Sequence, residues 1–320
     1  MVKKINLSII ILNYNTKDLL RQCLESVIRD QKSVTSKKPT TNHPALPAGR
    51  RLPTTEVIVV DNASKDNSVS MMREKFPQLE LIVNKKNIGF AAGNNKGIKK
   101  SRGRYILFLN PDTIVQPDTL RVMVDFMDNH SQVGAATCRV ELPNGELDYS
   151  CHRGFPTPWN ALAYFSGLAK IFPRVKTFTG YTLTYLPLEK IHEIDSACGA
   201  FLIVRREAGK EIGWWDEDYF WYGEDLDFSY RLKQKGWQIM FVPKVKIIHY
   251  KGAASGIKKH TQEMTTATKK TKIRAVKAST EVMRIFFKKH YQDKYPRFIY
   301  WLVIRGIDLL ERIRLFKHSL

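Results

Sequence analysis

The chain of 320 residues is long enough for one large domain, or one domain with an appendage, and its 43% hydrophobic and 11% aromatic content supplies a core that excludes global disorder. A formal net charge of +21 favours phosphate-bearing partners: a nucleotide sugar, an anionic membrane surface or nucleic acid. The most apolar late stretch, 298–310, is interrupted by Arg305 and Asp308, short of the roughly 18 residues a membrane span needs, so no span is expected.

Taken in chain order, an apolar run over 7–12 enters the polar Asn13-Tyr14-Asn15 with no cleavage pattern, and reads as a first buried strand in place of a signal peptide. Leu19, Leu20, Cys23, Leu24 and Val27 follow with helical spacing. Residues 32–55 carry four prolines and five basic side chains without hydrophobic period, an irregular surface insertion. Strand signals then fall at 56–60, 79–83, 104–109 and 133–138. Helices are expected between them: one capped by Ser64 and reaching about Lys75, one opening near Gly89, and one over Asp118 to Asn129. Strands apolar on both faces and separated by helices predict a Rossmann-like, doubly wound, mostly parallel α/β sheet.

The second half is less regular. A helix is expected over Trp159 to Ile171, a strand over 194–205, a helix over Gly223 to Lys235, and two strands at 238–242 and 245–250. From Lys258 onward, 16 Lys/Arg stand against 5 Asp/Glu, a balance of +11, in a long helical pattern. This divides the chain into a domain over 1–257 and a basic helical extension over 258–320. Cys23, Cys138, Cys151 and Cys198 show no CxxC pairing and are expected to be buried free thiols, in keeping with a reducing compartment.

Ligands of open α/β sheets bind beyond the carboxyl ends of the strands. There this sequence places Asn13-Tyr14-Asn15, Asp61-Asn62, Asn87-Ile88-Gly89-Phe90 and Asn110-Pro111-Asp112-Thr113. Each alone is an ordinary turn former; their sharing one edge points to a site. Gly89 and Gly93 have GxxxG spacing and do not follow the first strand, which disfavours a dinucleotide-dependent dehydrogenase. Glu224, Asp225 and Asp227 open a helix behind an aromatic run. Acids suit a helix N-terminus, and Asp227 can pair with Arg231. Their mutual repulsion beside Trp and Tyr could also raise one pKa into the range of a general base. His249 ends an apolar strand; as a metal ligand it would need a carboxylate partner, for which Asp112 is the natural candidate.

Six segments in register, NYN (13–15), VDNASKDNS (60–68), NxGFAAGNN (87–95), LNPDT (109–113), GAFLIVRR (199–206) and DEDYFWYGEDLDFSYRL (216–232), closely resemble the inverting family 2 glycosyltransferases of GT-A fold. The similarity is greatest to their rhamnosyltransferase-like subgroup and runs from about Leu7 to Gly256. It implies transfer of a sugar from a nucleotide-diphosphate sugar to an acceptor hydroxyl of a glycan or polyprenyl-linked saccharide. Rhamnose is the subgroup's suggestion, with hexoses on UDP or GDP carriers left open.

The resemblance lays Tyr14 against the nucleotide base, with Asp61 hydrogen-bonded to that base, and makes Asn15 a substrate-binding residue. It places Asn87, Gly89 and Asn94 around the nucleotide-sugar pocket, and Asn110 and Asp112 at the DxD position, where Asn replaces the first acid. Asp112 and His249 would be the metal ligands, Asp225 the catalytic base, Glu224 and Asp227 supporting residues through acceptor contacts or helix capping, and Gly199 and Arg206 part of the acceptor side. A divalent cation, Mn²⁺ or Mg²⁺, would neutralise the leaving diphosphate.

Two rivals stand beside this reading: a non-catalytic nucleotide-sugar-binding protein, and a basic nucleic-acid-binding protein. The second is disfavoured because no reader module carries the basic residues and acidic strand ends repel phosphate. For 258–320 the alternatives are solvated helices packed on the domain or an interfacial segment on anionic lipid. The expected location is cytoplasmic, peripheral on the inner face of the cell membrane.

Overall fold

The computed structural model describes residues 5–32, 53–251 and 269–319. Nearly all of the 32–55 insertion and the glycine-rich turn after Tyr250 lie outside the described residues. The centre of the molecule is β1 (Leu7–Asn13), whose Leu7, Ile9, Ile10 and Ile11 are fully buried, flanked by β2 (Thr55–Asp61) and β4 (Tyr105–Leu109), with β3 (Glu80–Val83) outside β2. These four strands are parallel. The helices α1 (Lys17–Lys32), α2 (Ser68–Lys75) and α3 (Phe90–Lys100) connect them. On α1, Leu20, Cys23, Leu24 and Val27 are completely buried, as the helical spacing predicts. Helix α2 starts three residues later than expected: its cap is Asn67 in the left-handed region, and Ser64 is held back at the end of β2.

Beyond β4 the sheet changes character. The full order is β3-β2-β1-β4-β8-β6-β9-β5, where β5 is Thr113–Val115, β6 Val133–Glu141, β8 Phe201–Arg205 and β9 Gln238–His249; β7 (His192–Glu193) pairs with β9. Strand β8 runs antiparallel to both β4 and β6, β5 runs antiparallel to β9, and β6 and β9 are parallel. The expected pair of strands at 238–242 and 245–250 is one strand. Its register against β6 jumps from Val242 to Lys246 as Cys138 passes to Arg139, which loops out the residues around Pro243. Proline has no N–H for the ladder, so a bulge there keeps the strand continuous.

Helices α4 (Thr119–Asn129), α8 (Arg206–Glu211) and α9 (Glu224–Gln234) cover the sheet. The expected helix over Trp159 to Ile171 is broken at Gly167, which adopts a positive φ, into α5 (Pro158–Phe165) and α6 (Leu168–Ile171), followed by α7 (Lys176–Thr179). All four cysteines are buried and free. Burial pushes the Cys23 thiol up to about 12.

The chain closes with α10 (Lys269–Tyr291) and α11 (Arg297–Ser319). A second apolar cluster joins them to the domain: Tyr230 of α9 packs with Phe286, Phe287 and Tyr291, with Phe155 and Tyr300 at its margin. Arg284 of α10 reaches Asp308 and Glu311 of α11 at 2.8 and 2.5 Å. Among the described residues no helix is long and apolar enough to cross a membrane.

Candidate active site

The carboxyl ends of β1, β2 and β3 are tied to one another by their own side chains. Asn13 Nδ2 donates to Asp61 Oδ2 (2.8 Å) and Ser64 Oγ (3.0 Å), while the Ser64 N–H donates to Asp61 Oδ1 (2.9 Å). Asp61 is thus buried, with both oxygens already engaged. Asn15, at φ 54°, accepts from the Lys65 N–H, and Tyr14 stands 43% exposed beside it, a free ring at the rim. Asn87 Oδ1 accepts from the Gly89 N–H (2.9 Å) and shapes the turn into α3. Gly89 has φ +88°, and a Cβ there would lie 2.7 Å from the Phe220 carbonyl oxygen, so glycine is required by both conformation and space. The Phe90 N–H donates to that same oxygen (3.0 Å), tying the donor loop to the segment before α9. Asn94 is buried and its amide donates back to the Phe90 carbonyl (3.0 Å), a support for the first turn of α3.

Asp112 and His249 are brought together by the β5–β9 ladder, in which Thr113 is opposite His249 and the Tyr250 N–H donates to the Asp112 carbonyl (2.9 Å). His249 Nε2 is 3.3 Å from Asp112 Oδ1, and Nδ1 is 3.0 Å from Asp148 Oδ2. Asp148 is nearly fully buried; its other oxygen takes the Lys251 ammonium (2.5 Å) and the Ser150 N–H (3.0 Å) and hydroxyl (2.7 Å). Burial alone would lower the His249 pKa, but Asp112 and Asp148 together raise it to about 9. For Asp148, burial works upward and His249 and Lys251 pull the pKa far below the usual carboxylate range.

The donor set suits a divalent cation. Asp148 holds Nδ1, which directs Nε2 toward the Asp112 carboxylate, so a cation displacing the Nε2 proton would find one imidazole and one carboxylate side by side. Among the described residues no group of three or more His, Cys, Asp or Glu is placed to hold a metal ion. The sequence reading missed Asp148. It lies in a turn-like PNGELDYS stretch 101 residues from the histidine it orients, and no local pattern marks it.

At the N-terminus of α9 the three acids have three different settings. Asp225 Oδ2 accepts from an Arg153 guanidinium nitrogen (2.8 Å) and Oδ1 from the Leu226 N–H (2.8 Å), which fixes the carboxylate and leaves further lone pairs. Burial works against the Arg153 charge; the carboxylate of Asp225 and the neighbouring Tyr181 more than restore it, and its Nε is buried without a partner. Glu224 is buried with Oε2 unpartnered; burial first, then the charge of Asp225, push its pKa up to about 8, so it is neutral at pH 7. Asp227 is fully buried and structural: it pairs with Arg231 as expected (2.6 Å), and also with His290 of α10 (2.7 Å). Arg153 escaped the sequence reading; a lone base in an otherwise acid-poor stretch was its only signal.

Glu224 should leave a mark on stability against pH. Its folded pKa lies above the ordinary 4.5, so its contribution is full below about pH 4.5 and is lost as pH rises through about 8. Glu224→Gln is expected to be more stable than the parent at pH 9 by on the order of 2 kcal/mol, with the difference vanishing near pH 5. Denaturant midpoints at the two pH values check this; a constant difference would remove the buried neutral carboxyl.

Asn110 and Gly199 sit at the same edge: the Asn110 N–H donates to the Ala200 carbonyl (3.1 Å), and Gly199 faces the Phe90 ring. Arg206 does not join them. Because β8 runs antiparallel, its end lies at the opposite edge of the sheet, where Arg206 donates to the Gly103 carbonyl (2.5 Å) and Ser101 Oγ (3.0 Å). Its assignment to the acceptor side is corrected to a structural one.

With this geometry in place, the comparisons are specific. The family model described as Glycosyl transferase family 2 matches residues 8–213. The N-acetylglucosaminyl-diphospho-decaprenol L-rhamnosyltransferase of Mycobacterium tuberculosis is 26% identical, over 62% of this chain and 68% of its own length. The rhamnosyltransferase WbbL of Escherichia coli is 28% identical, over 51% of this chain and 61% of its own. Among solved structures, the Pyrobaculum calidifontis mannosyltransferase PcManGT, in complex with GDP-Man and Mn²⁺, superposes with a TM-score of 0.52 at 15% identity, covering 98% of this chain and 87% of that one. GalNAc-T7 with UDP, GalNAc and Mn²⁺ gives 0.53 at 14%, covering 92% and 52%. At such identities these two likenesses speak for the fold, which is GT-A.

Proposed function

We propose, for a chain that belongs to glycosyl transferase family 2 and is a glycosyltransferase using a nucleotide sugar, a metal-dependent transfer that inverts the anomeric carbon. The sugar is rhamnose in the first instance, by likeness to the two rhamnosyltransferases, and the acceptor is a hydroxyl of a polyprenyl-linked saccharide, by likeness to the mycobacterial one. Residues 1–257 form the transferase domain and 258–320 its helical extension, working at an anionic membrane surface.

The observation that carries the reading is the Asp112–His249–Asp148 row at the end of β5 and β9. Asp112 and His249 would hold Mn²⁺ or Mg²⁺, which when bound offsets the charge developing on the departing diphosphate. Tyr14, Asn15, Asp61, Asn87 and Gly89 line the edge where the nucleotide sugar is expected, with Asn94 behind them and Asn110 beside the metal pair. Asp225 takes the acceptor's hydroxyl proton while the acceptor oxygen bonds to the anomeric carbon and the bond to the diphosphate breaks; attack opposite the leaving group gives inversion. Arg153 holds the Asp225 carboxylate in place and aims it. Glu224, neutral at pH 7, can donate a hydrogen bond to the acceptor.

The test is the purified protein against a panel of nucleotide sugars and a short polyprenyl-diphosphate saccharide, with Mn²⁺ or with chelator. Transfer is expected only with the cation, and product NMR should show the opposite anomeric configuration. Undiminished transfer in chelator would overturn the metal assignment, and retained configuration the direct displacement.

A further inference from the structure

On α11, Phe298, Trp301, Leu302, Leu309 and Ile313 fall along one helical stripe, and each is between 46% and 63% exposed. A second group of exposed large apolar side chains belongs to α5–α7 and their turns: Leu162, Phe165, Ile171, Phe172 and Val175. The two adjoin. Phe155, just before α5, and Tyr300 of α11 pack on the same aromatic cluster. Exposed apolar side chains in this number, on adjoining elements, mark a contact surface.

The charges say what it contacts. Residues 154–188 contain no acidic side chain, and Lys170, Arg174 and Lys176 are exposed among the apolar ones. The acids of α11, Asp308 and Glu311, are both turned to Arg284 of α10, whereas the stripe itself carries Arg305 and Arg312. Arg305 lies over the Trp301 ring, 5.5 Å from its centroid, the pairing of a flat amphipathic ring with a long cation that suits a headgroup layer. An apolar surface whose only charges are basic complements anionic headgroups over acyl chains, whereas a protein partner would need an acidic rim of its own.

We propose that α11 and the α5–α7 segment together form a docking surface for an anionic phospholipid bilayer, with the helices lying in the interface. The proposal deepens the function above and rests on it for its purpose: Phe155, an anchor of this surface, is two residues from Arg153, which holds Asp225. Docking there would bring a membrane-held acceptor to the base side of the site.

The experiment uses the full chain in a vesicle sedimentation assay. The protein should bind vesicles of phosphatidylcholine containing about one quarter phosphatidylglycerol at least ~10-fold more tightly than pure phosphatidylcholine, and more weakly as salt is raised. Leu309→Glu with Ile313→Glu, and separately Ile171→Glu with Phe172→Glu, should each lower that binding by about 10-fold or more. Both double variants, at exposed positions, should keep parental transfer to a water-soluble acceptor, which separates failure of docking from failure of the transferase reading. Equal binding to neutral and anionic vesicles, undiminished binding by either variant, or a parental dimer that the variants convert to monomers without vesicle binding would overturn the proposal.

Discussion

Asp225→Asn is expected to reduce transfer by about 10²–10⁴-fold, the range a positioned general base contributes, while leaving metal-dependent nucleotide binding within about twofold of the parent. The substitution keeps shape but removes the proton acceptor. It also turns an amide N–H₂ toward one of two donors that the carboxylate now receives, Arg153 or the Leu226 N–H, at a cost of about 1–3 kcal/mol in stability. Nucleotide titration by calorimetry and initial rates on the same preparation separate the two effects. Full transfer by the variant would sink the base assignment. The next candidate would then be Glu224, whose Oε2 is unpartnered and whose pKa of about 8 would make it a strong base once ionised. The Glu224→Gln protein prepared for the stability measurement therefore serves twice, since with Asp225 as base it should retain transfer within about 10-fold.

The second large effect is expected at a residue that touches neither donor nor acceptor. Asp148→Asn should weaken Mn²⁺ binding by about 10–100-fold, the usual consequence of removing the carboxylate behind a ligating histidine. The amide oxygen can still accept from Nδ1 of His249, but the charge that favours the Nδ1–H tautomer, and that holds Lys251, is gone. Activity should return at saturating Mn²⁺, whereas Asp112→Asn, which removes the anionic ligand itself, should remain impaired there. Mn²⁺ titrations in the presence of a nucleoside diphosphate read both; unchanged affinity in the Asp148 variant would show that His249 needs no orienting partner.

These two experiments fall on opposite sides of what could be read from the chain. The parallel half of the sheet announces itself, because strands buried on both faces leave long apolar runs such as Leu7 to Leu12 and Tyr105 to Leu109. The antiparallel half does not, since periodicity carries no direction, and the family likeness that put Arg206 on the acceptor side did not show that β8 ends at the opposite edge. The short β5 was invisible because three residues make no pattern, yet it is the strand that sets Asp112 beside His249. Asp112 and His249 were paired as candidate metal ligands from the residues themselves, and Asp225 was singled out of its acidic cluster through a family likeness. Asp148 and Arg153 belong to no recognised segment, and their partners are 101 and 72 residues away. Contacts of that span follow from topology, which a local reading does not hold.

Helix α10 bears on how the chain can be cut. Lys289 holds Asp216 and Asp218, His290 holds Asp227, Arg274 covers the Phe220 ring, and Val282 fills the space over Gly223, whose φ of +79° caps α9. Phe220 in turn accepts from the donor loop at Phe90. Truncation at residue 258 would therefore strip a buried aspartate of its imidazole, bare the aromatic face of Tyr230 and remove the cover from the Phe220 segment. The extension is a splint and not a detachable module, and surface point substitutions, not deletions, are the way to dissect it.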